Sequence, residues 1–177
     1  LIVEGASDKQ SLSLVMGQLI TDERVAFEIV HGDLLSDRVV NESNVLKRIP
    51  EFLKHLTTVE KFCQAQDICQ IVHLIDTDGA FIPEGCVREK AEGPIQYTLE
   101  CIETQNVEDT KDRNRRKSRI AKKLIGTKTI TFGKRPIPYG IYFFSRNLEH
   151  VLHNRTEELE DAEKEELSEA FEDRYVD

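Results

Sequence analysis

The sequence predicts an α/β fold: a mostly parallel, Rossmann-like sheet of about four strands flanked by helices and followed by an acidic C-terminal helix. Three observations carry this expectation. Short β-prone runs alternate with helix-like stretches. Two of those runs, Leu1 to Glu4 and Ile68 to Ile75, are almost continuously apolar, as strands buried on both faces are. Each leads directly into carboxylate and glycine, as Glu4-Gly5 and as Asp76-Thr77-Asp78-Gly79, the pattern of parallel strands that deliver acids to the C-terminal edge of a sheet.

The elements follow in order. After the first strand, Ser7 and Gln10 sit at capping-box spacing before a helix whose Leu12, Val15, Met16 and Leu19 share one face. Val25 to Val30 reads as the second strand, and Asn44 to Leu56 as a helix that Pro50 should interrupt or kink. Ile68 to Ile75 is the third strand. The Gly- and Pro-rich segment 79–94 reads as a loop over the acids. Tyr97 to Ile102 fits a strand or a short helix, and Val107 to Ile125 a helix. Pro138 to Ser145 is an aromatic strand, with a helix from Asn147. Beyond an N-cap candidate at Thr156, the apolar stripe is thin, Leu159, Leu167, Ala170 and Phe171, so this end is expected to be a solvated helix. The organisation is one α/β domain, 1–156, with an acidic helical tail, 157–177.

The chain has 177 residues and a formal charge of −9, unevenly placed. Residues 157–177 hold eleven acids against Lys164 and Arg174, so residues 1–156 sum to zero. Within that neutral body, residues 111–123 carry eight basic side chains against Asp112 alone, a strong local positive field. An acidic overall composition therefore does not exclude a nucleic-acid partner. Arg113, Arg115, Arg116, Lys117, Arg119, Lys122 and Lys123 are the candidate contacts to a nucleic-acid backbone. The basic residues surround the helix, so some are expected to be solvated or to pair with the acidic tail, which could then compete with a phosphate backbone.

Cys63, Cys69, Cys86 and Cys101 have no Cys-x-x-Cys spacing and no paired His, so zinc is a poor reading and buried reduced thiols the plain one. His73 falls inside the third strand and reads as a hydrogen-bonded core residue. No apolar run reaches the ~20 residues of a membrane span, and a cytoplasmic protein is expected. Because Leu1 already lies within a strand, the chain is expected to be a segment of something longer, with a flanking domain or partner subunit.

Three acids at strand ends suggest a site for a hard divalent cation, and the spacing of Asp76 and Asp78 turns both to one side if the extended conformation persists. This pattern, a hydrophobic strand ending in Glu4-Gly5, a β/α unit, then a strand ending in Asp76-Thr77-Asp78-Gly79, resembles the Toprim domain of topoisomerases, bacterial primases, recombination mediators and the overcoming-lysogenisation-defect nucleases. The resemblance covers residues 1–150 in order of elements. It implies that Glu4 acts as general acid/base or metal ligand and that Asp76 and Asp78 bind Mg²⁺ (or Mn²⁺). Asp8 resembles the additional acid of the nuclease branch, where a second metal binds; an acid in a first helical turn also suits the helix dipole. Glu149 reads as a surface helix glutamate that could supply a further acid.

The expected function is a Mg²⁺-dependent nuclease, acting on DNA ahead of RNA, of the kind found in bacterial phage defence. Two alternatives stay open. Asp76-Thr77-Asp78-Gly79 also resembles the nucleophile loop of haloacid-dehalogenase-like phosphatases, with Asp76 as nucleophile and Ser145 as the phosphate-binding serine. A catalytically silent Toprim scaffold that binds nucleic acid or protein is the other.

Overall fold

The computed structural model describes residues 1–21, 30–31, 34–35, 37–59 and 63–175. Most of the predicted strand Val25 to Val30 lies outside the described residues. The main sheet has five strands in the order β2-β1-β3-β8-β7: β1 Ile2–Val3, β2 Val30–His31, β3 Ile71–Asp76, β7 Thr129–Phe132 and β8 Arg135–Phe144. The first four in that order run parallel, and β7 closes one edge as the antiparallel arm of a hairpin with β8. The mixed α/β class and the mostly parallel sheet agree with the sequence. The β7 arm had no counterpart in the expectation, because Thr129 to Phe132 is too short a run to stand out; a turn with Gly133 at φ 62° reverses the chain there.

The chain passes from β1 outward to β2, then returns across β1 to β3 on its other side. The reversal places a crevice between the C-terminal ends of β1 and β3, where open α/β sheets bind ligands.

Helices α1 (Ala6–Leu19), α2 (Val45–Thr58), α3 (Val107–Ile125), α4 (Leu148–His153) and α5 (Asp161–Tyr175) flank the sheet. The core joins Ile2, Ile71, Ile75, Ile137 and Tyr139 of the sheet to Ile49 and Leu53 of α2 and Ile120, Ala121 and Leu124 of α3. Helix α2 runs through Pro50, with Val45, Ile49, Leu53 and Leu56 buried as a stripe along it; that packing offsets the loss of one backbone donor. The segment after β3 is more ordered than a loop: β4 (Val87–Glu89), β5 (Gln96–Tyr97) and β6 (Ile102–Thr104) make a second, three-stranded sheet around Val87, Tyr97 and Ile102.

Three local expectations are corrected. Helix α1 starts after Gly5, not Ser7, and Asp8 closes its first turn by accepting from the Gly5 N–H at 2.8 Å. The predicted face of α1 is not a core stripe, since Leu19 is exposed; the helix instead packs on α5 through a buried Ser11–Ser168 hydroxyl pair at 2.9 Å. Thr156 is not a cap, because its carbonyl accepts from the Tyr97 N–H and α5 begins only at Asp161. The acidic end is therefore docked, with Leu159, Ser168 and Phe171 buried.

His73 is a core residue as expected. It is fully buried, bonds the Tyr139 hydroxyl through Nδ1 at 2.8 Å, and is held neutral by burial, which pulls its pKa to about 3. Of the four cysteines only Cys101 is buried; Cys69 is exposed and Cys63 and Cys86 half-buried, so the expectation of buried thiols holds for one. No helix among the described residues is long and apolar enough to cross a membrane.

Candidate functional site

The ends of three adjacent parallel strands, β1, β3 and β8, build the site. The chain leaves β1 at Glu4, turns through Gly5 and enters α1, so that Asp8 faces back over the sheet edge. Gly5 matters for this approach: a Cβ there would stand 3.1 Å from Asp8 Oδ2, tight enough to displace the carboxylate. Strand β3 ends at Asp76. Next come Asp78 and Gly79, both left-handed (φ 46° and 67°), so the extended geometry stops at Asp76. The expectation that Asp76 and Asp78 project alike from one strand is corrected here.

The turn is clamped to the end of β8. Backbone N–H groups of Thr77, Asp78 and Gly79 donate to the carbonyls of Phe144, Arg146 and Ser145 at 3.1 Å each, and the Thr77 hydroxyl donates to the Ser145 carbonyl at 2.7 Å. Directly after this clamp, Asn147 caps α4 by accepting from the His150 N–H at 3.1 Å, which sets Glu149 in the first turn. Glu149 is 7% exposed. The reading of it as a surface glutamate is corrected: it lies at the centre of the acid cluster.

Glu4, Asp8, Asp76, Asp78 and Glu149 line one cavity of about 560 Å³, walled also by Lys117, Tyr97 and, from the acidic end, Asp161, Lys164 and Glu165. One carboxylate oxygen each from Asp8, Asp76 and Glu149 lie within 4.8 Å of one another, an arrangement that could hold a metal ion. Burial pushes the Asp76 carboxyl well above its ordinary pKa, reinforced by the charges of Asp8, Asp78, Glu4 and Glu149. Such crowding is unfavourable without a cation, and all five donors are hard oxygens of the kind that Mg²⁺ and Mn²⁺ prefer. The residues thus fit the expected metal, with Glu149 joining Asp8 and Asp76, and with Glu4 and Asp78 beside them.

Asp78 has a separate partner. Its carboxylate accepts from the Lys117 ammonium, and Lys117, in the middle of α3, is 1% exposed. Burial alone would raise the Asp78 pKa, but Lys117, through its charge and hydrogen bond, and Arg113 outweigh it and the net shift is downward. Burial likewise opposes the charge on Lys117, and Asp78 and Glu4 reverse that, so its pKa rises. Arg113 donates to the Asp78 carbonyl at 3.3 Å and to Asn114 Oδ1. Burial and the Asp78 charge push the Tyr97 phenol up to about 12, so it stays protonated.

The predicted backbone-binding set is therefore divided. Lys117 is not available to a nucleic-acid backbone, because the site's own carboxylate holds it, and half-buried Arg113 is turned to the same place. Arg115, Arg119, Lys122 and Lys123 are exposed and Arg116 is half-buried. Arg115 pairs with Glu84 and Asp112 and Arg119 with Glu42, while from the acidic tail the charge of Glu158 bears on Arg113.

The sequence reading put Glu149 on the surface ahead of the acid site and gave Lys117 to a nucleic-acid backbone, where the structure gives it to Asp78. The signal for Glu149 was present in part, as an acid two residues past a helix cap that follows an aromatic strand. What was missing was the pairing of β8 with β3, which no local pattern reveals. Comparison with family models, curated proteins and solved structures found no match to this chain.

Proposed function

We propose that this chain is a Toprim-like nuclease that uses Mg²⁺ or Mn²⁺ to hydrolyse phosphodiester bonds, in DNA ahead of RNA. The observation that carries the reading is the Asp8–Asp76–Glu149 group, three carboxylate oxygens within 4.8 Å at the switch point of a parallel sheet. A bound ion there would neutralise a phosphate and acidify a water molecule. The chain supplies the remaining functions. Lys117 keeps Asp78 ionised and in position, and Glu4 stands beside both as the group to take or return a proton. Eight acids line the cavity, Glu158, Asp161 and Glu165 besides the five at the strand ends, and they repel phosphate until a cation offsets them, so activity should depend wholly on the cation. Exposed Arg115, Arg119, Lys122 and Lys123 suit long-range attraction of a polyanion. A role in phage defence extends this proposal through the resemblance alone.

The test is to incubate supercoiled DNA, RNA and p-nitrophenyl phosphate with the protein in Mg²⁺ or Mn²⁺, beside Asp76→Ala and Glu4→Ala. Cation-dependent nicking lost in both variants is expected. Equal activity in all three proteins contradicts the assignment. Phosphatase activity without nicking supports the phosphatase alternative, and binding without cleavage the silent scaffold.

A further inference from the structure

The acidic cavity has an aromatic groove as its neighbour. Tyr97 lies on the cavity wall and also on the wall of this mostly apolar groove of about 630 Å³, where Phe81, Leu99 and Phe143 gather. Phe81 in turn borders a smaller cavity of about 250 Å³ against α3, lined by Lys111, Arg115 and Lys122. The three spaces are therefore neighbours through shared wall residues, Tyr97 between the carboxylates and the aromatic groove and Phe81 between the groove and the cations.

The groove's large side chains face water, with Phe81 48%, Phe143 58% and Leu99 107% exposed. Clustered exposed apolar groups mark a binding surface more often than chance scatter does. Its charge setting selects among occupants. The Lys122 ammonium lies 5.9 Å from the centre of the Phe81 ring, so the apolar surface borders a cation at one end and the candidate metal centre at the other. An alternation of flat apolar faces and positive charge matches a chain that alternates bases and phosphates. A duplex hides its base faces within its own stack, whereas an unpaired strand offers them to aromatic side chains.

We propose that the Phe81–Leu99–Phe143 groove is a stacking platform for unpaired bases, which leads a single strand into the acidic cavity while Lys122 holds a neighbouring phosphate. This rests on the nuclease reading and narrows its substrate to single-stranded nucleic acid or to unpaired stretches within a duplex.

The chain contains no tryptophan, so Phe143→Trp installs a single reporter in the groove. Binding is measured in a Glu4→Gln background, which removes the proton-transfer group and keeps Asp8, Asp76 and Glu149 for the cation, in Mg²⁺, with a 20-residue oligothymidylate and with a blunt duplex of equal length. The single strand should bind at least about tenfold more tightly and should quench the lone tryptophan. Phe81→Ala and Phe143→Ala should each weaken single-strand binding about 5- to 100-fold with an unchanged circular-dichroism spectrum, and Lys122→Ala should lower the salt slope by about one. Equal affinity for duplex, unaltered binding in both alanine variants, or an unquenched tryptophan at saturation overturns the proposal. So does a dimer that Phe143→Asp dissociates, since a second copy would then occupy the groove. These readouts are separate from cleavage, so failure of the nicking assay and failure of the platform are distinguished.

Discussion

The Lys117 ammonium, buried in the middle of the most basic helix of the chain, donates to the carboxylate of Asp78 in the turn after β3. This contact ties α3 to the sheet edge and turns one member of an apparent polyanion-binding face into part of the acidic site. Ordering two charges in a buried place carries a desolvation cost that their attraction offsets only while both are present.

Removing one partner should therefore be harmful and removing both much less so. Lys117→Met should destabilise the fold by about 3–5 kcal/mol, lowering Tm by about 2–4 °C per kcal/mol. Adding Asp78→Asn should recover most of that loss. Additive losses in thermal melts of the two single variants and the double variant would show that the pair is not energetically coupled.

Stability should respond to pH in two directions. Asp76 is raised in the folded state, chiefly by burial and then by its acidic neighbours, so as pH rises above about 4 the unfolded chain ionises first and cation-free protein loses stability. Asp78 is lowered on balance by Lys117, so its contribution is present above that pH and lost as pH falls through its folded value. Cation-free protein should melt highest in mildly acidic buffer. Because binding displaces the Asp76 proton, Mn²⁺ should raise Tm more at pH 8 than at pH 5.5, and Asp76→Asn should flatten both effects. A Mn²⁺ increment independent of pH would contradict this.

Glu149→Gln tests the residue that local sequence pattern undervalued. It should weaken Mn²⁺ binding in calorimetry by about 10- to 100-fold, since even outer-shell partners of a metal are worth that much, and should reduce nicking in parallel. Its burial among acids predicts no loss of stability in the cation-free protein. An unchanged Mn²⁺ affinity would remove Glu149 from the site.

Gly79→Ala should be destabilising by about 1–3 kcal/mol. The residue has φ 67°, and an added Cβ would lie 2.9 Å from Ile82 Cδ1 and 3.0 Å from Ile102 Cδ1. The strain would pass through the turn to Asp78, so denaturant unfolding and cleavage should both suffer; wild-type behaviour would mean that the turn relaxes freely.

The parts of this fold legible in the sequence are those with local signals. Strand β3 reads from its apolar run, and the helix expected over Val107 to Ile125 is α3 over the same residues, where the structure adds the Asn106 cap and the buried Ile120, Ala121 and Leu124. Glu4, Asp76 and Asp78 stand out because acid and glycine follow apolar strands, Asp8 through the resemblance to the nuclease branch, and the structure gathers all four around one cavity. What escaped depends on long-range contact. Nothing near Glu149 states that β8 pairs with β3, whereas Lys117 carried an unused signal, standing three, four and seven residues before Ile120, Ala121 and Leu124 and so on their inward face. The docking of α5 on α1 uses small polar groups, Ser11 and Ser168, which a search for apolar stripes passes over.

Whether Asp8, Asp76 and Glu149 share a divalent cation is decided by anomalous diffraction from a Mn²⁺-soaked crystal. A Mn²⁺ peak should appear within about 2.0–2.3 Å of an oxygen from each of the three carboxylates, the range of hard-ion coordination, with no peak in crystals of Asp76→Asn. A soaked crystal with those carboxylates free of the ion, or with the ion bound elsewhere in the cavity, would contradict a shared cation.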